Sequence, residues 1–140
     1  MIARMALAIA CFLPPAYALA SGEEPTGYAC TFTNGITNSY EKGAYAPEKA
    51  APLRFGISGI DLKAQTAVLE TSGGKGQLRI VRAVNATHFL EVASEGYLYI
   101  TTIYDKDDAK GAYPAVHSRH FGLFGQPIVT QYQGFCDAKD

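Results

Sequence analysis

Short apolar-rich segments, separated by turn-forming residues, follow one another along the chain from residue 21 to residue 140. Apolar spacing of three and four residues, typical of an amphipathic helix, is nearly absent. The segments cover residues 28–33, 53–60, 65–71, 77–84, 87–93, 97–104, 113–122 and 127–136. Short segments at a spacing of about ten residues, joined by tight turns, predict an all-β antiparallel meander of seven or eight strands.

Residues 39–52, with the sequence SYEKGAYAPEKAAP, depart from this pattern. Their proline, lysine and glutamate content is unfavourable for a strand. We therefore expect a long loop here, with one helical turn around residues 47–51.

The first 20 residues predict an N-terminal signal peptide. Arg4 precedes an apolar run over residues 5–13, and the small residues of Ala18-Leu19-Ala20 form a cleavage site. A membrane anchor would need about twenty apolar residues, and Pro14-Pro15 interrupts this run. We therefore expect cleavage after Ala20 and a periplasmic or secreted protein without a membrane span.

Residues 21–140 are expected to form a single β domain, because 120 residues are enough to bury one core. Removal of the signal peptide takes away Arg4 alone among the charged residues. The mature chain then has 11 basic and 13 acidic residues and a formal net charge of about −2. It contains no basic stripe and no run of like charge, so a nucleic-acid partner is not expected.

Two cysteines, Cys30 and Cys136, remain after signal removal. In an oxidising compartment an isolated pair is most simply a disulfide; a reactive thiol or a metal ligand is the alternative, and no CxxC spacing supports it. The two residues lie in the first and last expected strands, and a bridge requires their Cα atoms to be within about 7 Å. Closing the meander into a barrel would satisfy this and remove exposed edges; a β-sandwich pinned by the bridge is the alternative.

The segment 97–104 has one aromatic-rich face. Side chains alternate along a strand, so Tyr97, Tyr99, Thr101 and Ile103 share a face. Neither face of this strand is charged, which is typical of a central strand. The aromatic face is either core or a binding surface.

The segment 113–122 contains the sequence His117-Ser118-Arg119-His120. In a regular strand, His117 and Arg119 point to one side, whereas Ser118 and His120 point to the other. His117 and Arg119 could together bind an anionic group of a partner, beside the strand that carries Tyr97 and Tyr99. The alternative is a solvated arginine next to a histidine whose hydrogen bonds are satisfied within the fold.

No catalytic residue, metal ligand or cofactor is assigned from the sequence. A hydrolytic or metal-dependent enzyme using His117, Ser118 and His120 would need a β-bulge that brings both histidines to one face. The third histidine, His88, lies on another strand, and Ser118 is not set in a GxSxG motif.

Most carboxylates lie in turns and tails, and Glu70 and Glu91 are the exceptions within strands. We interpret both as solvated positions rather than as an acid/base pair.

At the level of architecture the chain resembles the small periplasmic lysozyme inhibitors, although no motif assigns it to a family. The resemblance rests on the secretion signal, the early Tyr28-Ala29-Cys30, the late Cys136 and an echo of a Ser/Gly/Tyr loop in residues 94–99. It implies a compact antiparallel barrel and, as one functional alternative, inhibition of an envelope-degrading enzyme.

The leading hypothesis is a non-enzymatic binding domain that recognises a protein or small-molecule ligand through one face or mouth of a barrel. A structural or oligomerising cell-envelope protein is the alternative, which a large exposed apolar patch would favour. A lysozyme inhibitor, and an enzyme built on His117, Ser118 and His120, are weaker alternatives.

Overall fold

The computed structural model describes residues 24–94, 97–123 and 125–139, without the side chains of residues 92–94 and 123. The expected signal peptide lies outside these residues, as do Glu95 and Gly96 from the segment that resembles the lysozyme inhibitors. No described residue is helical, and within these ranges no helix is long and apolar enough to cross a membrane.

The described residues form nine antiparallel strands, and each of the eight expected segments overlaps one of them. The strands are β1 (Gly27–Glu41), β2 (Ala44–Lys49), β3 (Leu53–Asp61), β4 (Thr66–Thr71), β5 (Gly74–Arg82), β6 (Ala86–Ser94), β7 (Tyr97–Tyr104), β8 (Tyr113–Leu123) and β9 (Gln126–Lys139). The all-β prediction is therefore confirmed.

The sheet closes into a barrel. Strands β3 to β9 are paired in chain order, each with the next, and β1 pairs with both β3 and β9. Strands β1 and β3–β9 thus form a closed eight-stranded barrel, and β2 is an extra strand paired with β1. The barrel prediction is confirmed, and the sandwich alternative is wrong.

Residues 39–52 are not the loop with a helical turn that their composition predicts. Residues 39–41 continue β1, and β2 returns beside them through a two-residue turn at Lys42-Gly43, with Glu41 paired to Ala44. Both turn residues have positive φ, 49° and 86°, which is the geometry of a tight type I′ hairpin. All six β2 residues are exposed, so the strand has no buried face to reveal it in the apolar pattern.

The Cys30–Cys136 disulfide joins the first and last strands across the seam of the barrel. The two residues are direct register partners, with a Cα–Cα distance of 4.0 Å, and they are 2% and 0% exposed. The predicted bridge is therefore confirmed. It lies in a core cluster formed by inward residues: Tyr28, Cys30, Phe32, Phe55, Ile57, Ala67, Leu78, Ile80, Phe89, Ile103, Ala115, Tyr132 and Cys136.

Candidate functional site

One end of the barrel opens into a cavity of about 300 Å³, which we call the Arg119 mouth. Its walls come from the start of β3, the turn between β4 and β5, and side chains of β6, β7 and β8. The lining residues are Leu53, Phe55, Leu69, Thr71, Gly73, Gly74, Lys75, Gly76, Glu91, Tyr99, His117 and Arg119. Three of the four residues selected from the sequence as a binding surface therefore line one cavity.

Strand alternation places His117 and Arg119 on the inner side of the barrel wall. The β8 strand pairs with β7 and β9 without a register shift, and the pairs Thr101↔His117 and Tyr99↔Arg119 follow each other. His117 is 4% exposed, whereas His120 is exposed on the outer surface. The two histidines thus lie on opposite sides of the sheet, as a regular strand requires.

Aromatic rings surround the His117 imidazole. The ring centroids of Phe32, Phe55, Tyr99 and Tyr132 lie 5.9, 5.1, 6.2 and 6.0 Å from that of His117. Burial among these rings, with the Arg119 charge as a second cause, lowers the pKa of His117 to about 3. The imidazole is therefore neutral at physiological pH.

Two hydrogen bonds determine which imidazole nitrogen carries the proton. Arg119 donates from Nε to His117 Nε2 at 3.2 Å, and a guanidinium can only donate, so Nε2 is the unprotonated acceptor. The proton is then on Nδ1, which lies 2.9 Å from Thr101 Oγ1 and donates to it. His117 thus acts as a fixed acceptor for the arginine.

The Arg119 guanidinium lies near two tyrosine rings. Its Cζ atom is 5.4 Å from the ring centroid of Tyr99 and 5.5 Å from that of Tyr132, within the range of cation–π attraction. Tyr132 in turn covers Gly35, where a Cβ atom would lie only 2.5 Å from the ring. The two rings and His117 together restrict the position of the guanidinium.

No carboxylate of the described residues neutralises Arg119 by direct contact. Among the described residues, no Asp or Glu oxygen lies within 4.0 Å of the guanidinium, and its hydrogen bond to His117 uses Nε. The Lys75 ammonium at the same mouth differs, because it pairs with Glu70 at 3.3 Å. The terminal nitrogens of Arg119 are therefore the donors that a ligand can reach.

Glu91 also lines the mouth, and its interpretation as a solvated strand position is wrong. The side chain is partly buried, and its carboxylate lies over Gly76, where a Cβ atom would be 2.5 Å from Oε1. Burial raises the pKa of this carboxyl, and the Arg119 charge opposes that rise. The sequence signal for this placement is the two-residue spacing between Glu91 and the buried Phe89.

Tyr97, the fourth residue selected from the sequence, does not line the cavity. Its ring stacks on Phe121 at a centroid distance of 5.7 Å and meets the edge of Tyr99 at 6.5 Å. Tyr97 therefore supports the ring of Tyr99 from beside the mouth. Sequence reasoning does not select Tyr132 or Thr101. The ring of Tyr132 lies beside the Arg119 guanidinium, and the Thr101 hydroxyl is hydrogen-bonded to His117.

The geometry needed for an enzyme or metal site on His117, Ser118 and His120 is not present. The β8 register contains no bulge that would bring the two histidines together. His88 instead bonds Thr102 on the outer wall, with Nδ1 and Oγ1 2.9 Å apart. In the part of the chain that the structure describes, no three His, Cys, Asp or Glu residues are placed to share a metal ion.

A larger cavity, of about 480 Å³, lies at the opposite end of the barrel. Its arginine is paired, because Arg82 Nη1 contacts both carboxylate oxygens of Glu24 at 2.7 Å. Burial raises the pKa of Tyr28 in its wall to about 12, so that hydroxyl stays protonated. The Arg119 mouth is the better candidate site because no carboxylate in the described ranges contacts its guanidinium.

No known family model matches this chain, and no curated protein matches its sequence significantly. A held guanidinium with accessible terminal N–H groups is suited to binding a carboxylate or another planar anion.

Proposed function

We propose that this protein is a non-enzymatic binding domain that holds an anionic group of its ligand, a small molecule or part of a protein, at the Arg119 mouth. The observation that carries the proposal is the held Arg119 guanidinium, which donates to His117 and contacts two tyrosine rings. A donor already fixed in place loses little conformational entropy on binding, which favours affinity.

The immediate surroundings of Arg119 favour an anion as its partner. The imidazole of His117 is neutral and does not offset the guanidinium charge, and the Tyr99 and Tyr132 rings lie beside this partly buried group. A charge-assisted hydrogen bond is stronger where water is partly excluded. A carboxylate entering the cavity would therefore gain more here than on an exposed arginine.

A secreted or periplasmic location is part of the same proposal. The disulfide is consistent with an oxidising compartment, and the first 20 residues have the pattern of a signal peptide. A binding domain in that compartment would meet its ligand outside the cytoplasm.

Propionate provides the simplest test, because it carries a carboxylate and no other polar group. We expect saturable binding in an NMR titration, with shifts centred on the backbone amides of Gly74, Gly76 and Arg119. Arg119→Gln should weaken binding by about tenfold or more, because it removes the guanidinium charge and the pair of N–H donors that can bind one carboxylate. Arg79→Gln, the same change at an exposed position on β5, is the matched control and should bind like the wild type.

Shifts that never saturate, or that spread over the surface and persist in Arg119→Gln, would contradict the proposal. The wild type and both variants should first show the same β-sheet circular dichroism and a cooperative thermal transition well above the titration temperature. A loss of binding in a correctly folded Arg119→Gln protein then reports on the mouth itself.

A second candidate function, self-association in the cell envelope, is supported by an uncharged band on the outer wall. Outward side chains from the middle of β6–β9 and the adjoining part of β1 form this band, and none of its members is Lys, Arg, Asp or Glu. Charged residues border it: Asp137 and Lys139 point outward near the end of β9, and Lys49 is the register partner of Ile36. Its members are Asn34, Ile36, Asn38, His88, Leu90, Leu98, Ile100, Thr102, Val116, Ser118, His120, Val129, Gln131 and Gln133. Interface centres are depleted in charge, and the small net charge of the chain offers little self-repulsion.

This second candidate predicts a dimer or larger assembly that depends on Ile36, which is 54% exposed within the band. Sedimentation velocity of the wild type should show concentration-dependent association, and Ile36→Lys should shift it to monomer. Val84→Lys introduces the same charge at an exposed residue outside the band, at the end of the barrel opposite the Arg119 mouth, and should leave association unchanged. A wild type that stays monomeric at high micromolar concentration would rule this candidate out.

A further inference from the structure

The inner side of the barrel wall carries a row of paired residues at the mouth. Glu91 on β6 is the register partner of Tyr99 on β7, and Tyr99 is the register partner of Arg119 on β8. Adjacent strands lie about 4.8 Å apart, so the backbones of Glu91 and Arg119 are separated by roughly two strand spacings. Glu91, with a carboxylate, and Arg119, with a guanidinium, therefore lie on either side of Tyr99 at the same level of the barrel.

The two charged groups do not form an ion pair with each other. No Glu91 oxygen lies within 4.0 Å of an Arg119 nitrogen, and the described residues provide no hydrogen bond to the Glu91 carboxylate. The carboxylate instead lies over Gly76, a position that only a residue without a side chain leaves open. The cavity between them has room for a ligand of a few heavy atoms, with a volume of about 300 Å³.

Within the described part of the chain, neither Glu91 nor Arg119 contacts a group of opposite charge, and both side chains are partly buried. Burial raises the pKa of Glu91 while Arg119 lowers it, which shows a carboxyl that is desolvated yet within the field of the guanidinium. Partly buried charges gain most from a partner that neutralises them directly. A ligand with both a cationic and an anionic group could satisfy the two residues together.

We propose that the ligand is a small zwitterion, an amino acid or a short peptide, whose carboxylate binds Arg119 and whose ammonium group binds Glu91. This inference rests on the proposed function, because it assumes that an anionic group binds Arg119. The Tyr99 ring between the two charged residues then packs against the carbon atoms that join the two ends of the ligand. Lys75, paired with Glu70, stays at the rim.

Two isosteric pairs of probes test the ammonium contact at two lengths. Glycine and propionate have the same heavy-atom skeleton, as do glycylglycine and propionylglycine, and within each pair only the first carries an ammonium group. In wild-type protein we expect the better-fitting zwitterion to bind about tenfold or more tightly than its isosteric anion, as measured by NMR titration.

Glu91→Gln preserves the shape of the side chain and removes its charge. This variant should bring the zwitterion to the affinity of its isosteric anion, while propionate binding is retained or improved. Glu48→Gln, the same change on the exposed β2 strand, is the matched control and should preserve the wild-type preference.

The outcomes separate this inference from the proposed function. If propionate and propionylglycine bind through Arg119 but neither zwitterion binds more tightly than its isostere, the zwitterion inference is wrong and the anion site stands. If no carboxylate probe binds, the proposed function itself is wrong. The wild-type comparison needs no variant, so the test remains decisive even if Glu91→Gln fails to fold.

Discussion

Removal of the Cys30–Cys136 bridge is expected to destabilise the barrel by about 2–5 kcal/mol. The bridge spans 106 positions. In the chain-entropy model, closing a loop of about 100 residues raises the free energy of the unfolded chain by up to roughly 4.7 kcal/mol, because its entropy falls. Both sulfur-bearing side chains are buried, so their loss also removes packing contacts. Since domains are stable by about 5–15 kcal/mol in total, a large fraction of the stability depends on this seam.

Urea denaturation of the wild type and of the Cys30→Ala/Cys136→Ala double variant measures this effect. The variant should unfold at a much lower urea concentration, and reduction of the wild type should have a similar effect. Addition of reductant to the double variant is the control and should change nothing. A loss of less than about 1 kcal/mol would mean that strand pairing alone closes the barrel.

Acid is expected to destabilise the protein through His117 at pH values where most carboxyls are still ionised. The folded-state pKa is about 3, whereas an unfolded histidine titrates near 6.5, so below 6.5 the unfolded chain binds a proton that the folded chain does not. Stability is therefore complete above about pH 6.5 and falls towards pH 3. The slope approaches about 1.4 kcal/mol per pH unit, or roughly 2–3 kcal/mol between pH 6.5 and 4.5.

The free energy of unfolding at pH 6.5 and at pH 4.5, in the wild type and in His117→Gln, provides the measurement. A glutamine can accept from Arg119 and donate to Thr101 without titrating, so the variant should lose most of this pH dependence. His88→Gln removes the histidine on the outer wall and should preserve it. Equal pH dependence in the wild type and His117→Gln would contradict a neutral, buried His117.

The low pKa of Glu70 affects a different range of pH. Hydrogen bonds from Ser58 and Lys75 lower that pKa, so the stability contributed by the Glu70 carboxylate is present above the pKa of an ordinary carboxyl and is lost as the pH falls from there through the lowered folded-state pKa. This contribution is the same in the wild type and in His117→Gln. The comparison between the two proteins therefore isolates the imidazole.

Local patterns predict those elements in which one face of a strand is buried. The β7 strand covers the expected residues 97–104, and the alternation along β8 correctly separates His117 from His120. The β2 strand cannot be recognised in this way. All its side chains are exposed, so its sequence shows no alternation of apolar and polar residues. Its turn is hidden too, because Lys42 adopts the positive φ more often found at asparagine or glycine.

The candidate site can be predicted only in part. The alternation of side chains along a single strand is enough to place Tyr99 on the same face as Thr101, and His117 on the same face as Arg119. Composition suggests that Glu91 is solvated, although its parity with Phe89 points it inward, and only the closed barrel places it in the same cavity as Arg119.

The all-β class, most strand positions, the parity of each strand and the cysteine pair can all be read from the amino-acid pattern. These properties follow from alternation, turn chemistry and the redox behaviour of an isolated pair, all of which act locally or through composition. Only the folded barrel shows the register in which β1 pairs with β9, that Tyr132 and His117 hold Arg119, and that Glu91 shares the same mouth. Register between distant strands sets which side chains meet, and because register depends on the packing of the whole core, no single segment contains that information.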